Sequence, residues 1–324
     1  MREKRNGKKY RCAGYLCLAA VCLALSGCAQ SGKEQQEEYK QQGIVAMASG
    51  DYDQALDLFG KALDLSGGSV GAQEIDICYY KAAALYQAGQ IQEAIAVYDA
   101  LTEYDEQNAD AWFLRGSIYA GQRDLEKALE DYRQAVKLDD ENYDLYIGIY
   151  ENLNALGYQE EAAEFLNMAL EIEGDGAYNC LNRGRIYMIL GQYDAAEKAL
   201  LKAVDKKEDE ARVYLAQIYT LQQDADSAQK MVDAYLESKN VSSEGLTLLG
   251  NMAMDAQDYA QALEYYQQGL ACAQVTNARE LRKNEIAALE RCGQYEDAQT
   301  KLAEYLEDYP GDQVALQEQQ FLTR

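Results

Sequence analysis

Three acidic runs are the residues best placed to do chemistry: Asp139-Asp140-Glu141, Glu160-Glu161 and Glu208-Asp209-Glu210. Two carboxyls divide acid and base work only where their surroundings push their pKa values apart. These runs sit near expected helix ends or on polar faces, so solvated surface is the expected reading. The 324 residues include no histidine, which removes the commonest general base and metal ligand. Ser/His and Cys/His nucleophile pairs are excluded with it. No Gly-rich loop runs into Lys-Ser or Lys-Thr, and the Gly67-Gly68-Ser69-Val70-Gly71 stretch lacks a preceding strand, so it reads as a linker. No EF-hand spacing is present. No enzyme, no cofactor and no metal are expected.

The remaining chemistry-bearing group is a thiol. The first eleven residues carry six cations and one anion, and Cys12 to Leu25 is an apolar run without a charge. Such a run is shorter than the roughly 20 residues that span a bilayer and suits a signal-peptide core, with the following chain exported. The run ends Leu25-Ser26-Gly27-Cys28. This resembles the lipobox of bacterial lipoproteins. The resemblance implies that Cys28 receives a diacylglyceryl group and becomes the new N-terminus after residues 1–27 are removed. Two acyl chains suffice for stable anchoring. The alternative is an uncleaved N-terminal membrane helix. Residues 28–38 then read as the lipidated cysteine and a short polar tether. The expected location is the extracytoplasmic side of a cell membrane.

A six-residue signature ending in alanine recurs through the rest: GDYDQA (50–55), GQIQEA (89–94), RDLEKA (123–128), GYQEEA (157–162), GQYDAA (191–196), QDADSA (223–228), QDYAQA (257–262) and GQYEDA (293–298). The alanines are spaced 39, 34, 34, 34, 32, 34 and 36 residues apart. Twelve residues before the alanine stands a small residue in most copies, as at Gly43, Gly116, Gly184 and Gly250. Four residues after it stands a large one, as at Phe59, Tyr132, Leu200 and Tyr266. Offsets of three and four place such residues on one helical face, so each unit reads as two antiparallel helices meeting small against large. A single proline, Pro310, is consistent with long helices.

This 34-residue helix–turn–helix pattern resembles the tetratricopeptide repeat. The third copy matches best, through Trp112, Gly116, Tyr119, Ala128, Tyr132 and Ala135. Arg115 and Arg183 stand where the family often has Leu. The implied fold is all-α, a right-handed α-solenoid of about eight repeats over 36–312, with a capping helix over 313–324 that covers the last repeat through Val314, Leu316, Phe321 and Leu322. The repeats are expected at about 36–69, 75–108, 109–142, 143–176, 177–208, 209–242, 243–276 and 279–312. Cys78 and Cys180 take the Trp112 position and read as small core hydrophobes; Cys272 and Cys292 fall too far apart for a disulfide. Most of the 27 tyrosines fall on packing positions, and Tyr52, Tyr193, Tyr259 and Tyr295 inside the signatures are read as core too.

The resemblance also implies a concave groove lined by the first helix of each repeat, which takes a protein or peptide. Positions flanking the core stripe are its candidate lining: Tyr79, Tyr86, Phe113, Ser117, Ile147, Glu151, Asn154, Leu181, Arg185, Met188, Gln217, Thr220, Asn251 and Met254. This set has no single sign of charge. With 30 Lys+Arg against 55 Asp+Glu the net charge is −25, and it becomes −30 once residues 1–27 are removed. Nucleic acid is not an expected partner. The expected role is a lipid-anchored scaffold for protein–protein interactions in envelope assembly or secretion. The alternative is a glycan- or peptide-binding module that delivers ligands to an envelope enzyme or transporter.

Overall fold

The computed structural model describes residues 32–322. The lipobox residues Leu25, Ser26, Gly27 and Cys28 lie outside them. The described residues form helices and turns only: α1 (32–48), α2 (Tyr52–Asp64), α3 (Ala72–Gln87), α4 (Ile91–Tyr104), α5 (Ala109–Gly121), α6 (Leu125–Leu138), α7 (Tyr143–Ala155), α8 (Gln159–Leu170), α9 (Ala177–Ile189), α10 (Tyr193–Asp205), α11 (Ala211–Leu221), α12 (Ala225–Leu236), α13 (Ser243–Asp255), α14 (Tyr259–Leu270), α15 (Ala278–Arg291), α16 (Tyr295–Asp308) and α17 (Gln313–Leu322). The fold is all-α and of the α-solenoid type, built from helix–turn–helix pairs. The chain divides into two compact units, one ending at Leu101 and the other beginning at Thr102.

The signature makes the turn within each pair. Its first residue is left-handed in all eight copies: Gly50, Gly89, Arg123, Gly157, Gly191, Gln223, Gln257 and Gly293, with φ between 61° and 89°. The next residue's N–H reaches back to the carbonyl five residues earlier, as in Asp51 to Ala46, Gln192 to Tyr187 and Asp258 to Ala253. This is a Schellman stop for the first helix. Where that second residue is aspartate, as at Asp51, Asp124, Asp224 and Asp258, its carboxylate accepts from the N–H three residues on and starts the second helix. The closing alanines are buried where the two helices cross, seven of them at 0% exposure and Ala228 at 8%.

The small-against-large pairing follows. A Cβ on Gly43 would meet Phe59 at 2.6 Å, and one on Gly184 would meet Leu200 at 2.5 Å. Glycine there lets the first helix lie directly on the large side chain of the second.

In the first unit, Ala46, Ala55, Phe59, Ala62, Ile77 and Ala84 form the core. Residues 32–38, expected as tether, are helical, and Gln36 and Glu37 tie them to α3. Gln36 is 2% exposed and donates to Glu74 at 3.0 Å, and Lys40 bridges Glu37 and Asp76 at 3.0 and 2.9 Å. Those polar pairs, rather than an apolar stripe, hold the segment against α3.

In the second unit each first helix packs on its own second helix, and α9 and α13 both pack on α11. Tyr132, Tyr143, Tyr235, Tyr266 and Tyr305 are fully buried. The signature tyrosines differ from expectation. Tyr193 is 40% and Tyr295 56% exposed, because the third signature residue opens the second helix at the outer turn. The final helix α17 also differs. It covers Ile286, Leu302, Tyr305 and Leu306 with Ala315, Leu316 and Leu322, while Val314 and Phe321 are 63% and 74% exposed. Cys78, Cys180, Cys272 and Cys292 are free thiols, and only Cys180 of them is fully buried.

Candidate protein-binding groove

The first helices of the second unit present two clefts that share a wall. One, about 340 Å³, is lined by Ile147, Glu151, Arg185, Met188, Ile189, Tyr193, Tyr214, Gln217 and Leu221. The other, about 330 Å³, is lined by Asp144, Arg185, Glu210, Tyr214, Glu244, Thr247, Leu248, Asn251, Asn277 and Glu280. Arg185 and Tyr214 belong to both, so the two form one groove over α7, α9, α11, α13 and the start of α15.

Arg185 is its centre. Nη1 donates to Asp144 Oδ1 at 3.0 Å and to Asn182 Oδ1 at 2.6 Å. Those bonds aim the guanidinium along the groove. Burial opposes its charge, yet the neighbouring Tyr214 hydroxyl and the Asp144 and Glu210 carboxylates raise its pKa above the usual value. Burial pushes the Tyr214 hydroxyl up to about 12. Burial also raises Glu210, with Glu208 and Glu244 adding repulsion and Arg185 opposing. The Glu208-Asp209-Glu210 run is therefore not plain solvated surface. Glu210 faces the groove, and Asp209 accepts from Arg212 and from Asn240 Nδ2, the latter at 2.8 Å.

Of the candidate lining residues, Glu151, Arg185, Met188 and Gln217 come together with Ile147 in the first cleft, and Asn251 joins Arg185 in the second. Leu181 is buried and serves the core. Phe113 packs on Tyr132, with ring centres 5.9 Å apart. Ser117 accepts from Tyr132 and Asn152. Asn154 is exposed beside no cleft wall, and Met254 packs against the Ala262–Tyr266 cluster. Thr220 lines a separate apolar cleft with Val232, Leu249, Met252 and Tyr265. In the first unit, Tyr79 leans on Tyr98 and Tyr86 is 36% exposed.

The flanking-position rule missed the carboxylates Asp144, Glu210, Glu244 and Glu280. They lie one turn further toward the helix N-termini, where that rule does not look. The signal was present in the chain. Eighteen residues before each signature alanine stands Glu37, Asp76, Asp110, Asp144, Tyr178, Glu210, Glu244 or Glu280, an acid in every copy but one. The second cleft is consequently acidic rather than mixed.

Tetratricopeptide-repeat family models match residues 79–143 and 187–252. Over those two stretches the chain matches tetratricopeptide repeats. It is 25% identical over 178 residues to the TPR repeat-containing protein MJ1428 of Methanocaldococcus jannaschii, covering 51% of this chain and 30% of that one. It is 28% identical over 107 residues to heat shock protein STI1 of Saccharomyces cerevisiae, covering 33% and 17%. The chain thus spans less than a third of the length of either relative. Among solved structures, a tetratricopeptide repeat protein from Parabacteroides merdae aligns with 79% of this chain and 99% of its own, at 15% identity and a TM-score of 0.43. Proteins built from these repeats bind protein partners, and the repeat is a scaffold fold, typically without catalysis.

Proposed function

We propose that this protein is a lipid-anchored, extracytoplasmic scaffold that holds a partner protein in the groove of its first helices. The observation that carries the binding role is the continuous groove over α7, α9, α11 and α13, whose wall includes the exposed side chains of Glu151, Ile189 and Leu221. The anchor rests on the basic start, the short apolar run and Leu25-Ser26-Gly27-Cys28. Roles in envelope assembly or secretion fit that address.

Crosslinking and capture of the tagged full chain from native membranes tests the scaffold role. A stoichiometric protein partner is expected. A capture holding only glycan or lipid turns the reading to a ligand-delivery module. For the anchor, Cys28→Ala is expected to leave the helical domain folded and to move it from the membrane to the soluble or precursor fraction. Unchanged membrane retention and processing, followed by fractionation and mass of the N-terminal peptide, would remove the lipoprotein reading.

A further inference from the structure

The groove is divided chemically along its length. At the N-terminal ends of the first helices, four carboxylates and one guanidinium line the cleft, and that guanidinium is already engaged by Asp144. Within the second unit the same position is also acidic at Asp110. Its single exception, Tyr178, is 52% exposed and edge-on to Tyr143, and an open aromatic face also favours a cation. At the C-terminal ends of these helices, and where α10 begins after α9, the chemistry changes. Ile189, Tyr193 and Leu221 are 38%, 40% and 56% exposed, and all three line one cleft. Large apolar side chains gathered open in one concavity mark a contact surface. The acidic end and the apolar end are thus independent features of one groove, joined through Arg185 and Tyr214.

We propose that this groove takes an extended segment of a partner protein bearing an apolar side chain at one end and a cluster of Lys or Arg about five residues away. This deepens the scaffold reading and rests on it. The spacing follows from the helix. Eleven residues separate Glu210 from Leu221, which is roughly 16 Å along an α-helix. An extended chain covers that distance in about five residues. A cluster of cations, rather than one, matches carboxylates on neighbouring helices that lie ~10 Å apart. Complementary charge sets the partner's orientation and its rate of association, and the apolar contact makes the fit selective against other cations.

The test is fluorescence polarisation with the full chain in detergent. The probe is a labelled ten-residue peptide with Leu-Phe at one end and three lysines beginning five residues on. Saturable binding is expected, weakening several-fold between 50 and 300 mM salt. Glu210→Gln with Glu244→Gln is expected to weaken it at least tenfold, and Tyr193→Ser with Leu221→Ser about fivefold. A peptide of the same composition with Leu-Phe placed next to the lysines is expected to bind at least fivefold more weakly. Absence of binding overturns the proposal. So does binding that both variants and the rearranged peptide share, since that reports only attraction to a polyanion. Melting curves check that the variants fold; should the double carboxamide fail, Glu244→Gln alone carries the test with an expected loss of about threefold. If a captured partner is kept by both variants while the peptide fails, the scaffold reading stands and this occupant falls. If the peptide binds as stated but no partner is captured, the reverse holds.

Discussion

Asp131 is 3% exposed and is held by a bidentate pair with Arg115, at 2.8 and 2.7 Å. Arg115 in turn reaches Thr102 and stacks over Trp112 with its guanidinium carbon 4.6 Å from the ring centre. This explains why an arginine stands where the repeat often has leucine. The other such arginine, Arg183, instead caps the carbonyls of Ile172 and Gly174. Removing one partner of a buried pair leaves the other without its counter-charge, so Asp131→Ala is expected to cost about 3 kcal/mol, read as a lower urea midpoint. A half-buried carboxyl behaves oppositely. Burial and the neighbouring Glu318 carboxyl push Glu290 up to about 7, and its Oε1 has no hydrogen-bond partner. A carboxyl whose pKa is raised on folding favours the folded state below the unfolded value of 4.5 and loses that advantage as pH rises to about 7. Melting temperature is expected to fall across that window, and Glu290→Gln to flatten the fall.

At the scale of the element, the hexamer is one device with three jobs: a left-handed stop, a restart that aspartate caps where it holds the second position, and a buried crossing alanine. Five copies use glycine for the stop, and Arg123, Gln223 and Gln257 occupy it with side chains at φ 64°, 63° and 61°. A side chain in that conformation costs roughly 1–2 kcal/mol. Arg123 regains some of it by donating to the Leu156 carbonyl at 2.6 Å and lying over Tyr158. No such bond is formed by Gln223 or Gln257. Gln223→Gly with Gln257→Gly is therefore expected to stabilise the second unit by about 1 kcal/mol, less than the strain removed because glycine also frees the unfolded chain. A raised melting temperature checks this. The hexamer was legible as a period long before its mechanism was, because hydrogen bonding between residues five apart leaves only a Gly-Gln or Gln-Asp trace.

For the whole molecule, the last repeat must be closed, and Asp312 does it. Its carboxylate caps α17 at Ala315 N (3.2 Å) and accepts from Tyr305 (2.7 Å), Lys283 (3.2 Å) and Arg279 (3.3 Å). Those donors hold it far below the usual carboxylate range in spite of burial. Its stabilisation is present above about pH 4 and is lost as acid protonates it below that. Asp312→Ala is expected to free α17, seen as fast amide exchange over Gln313–Leu322 with α9–α14 still protected. The repeat period, the all-helical fold and the small-against-large core were written in the sequence, because each is a local pattern of side-chain size at helical offsets. So was the anchor motif, as an expectation. The acid column was also there, but it became a groove wall only when the first helices stacked. Which carboxylates stand in one cleft, and that residues 32–38 are tied to α3 despite their polarity, depend on contacts between residues more than thirty positions apart. Periodicity along the chain carries no record of those distances.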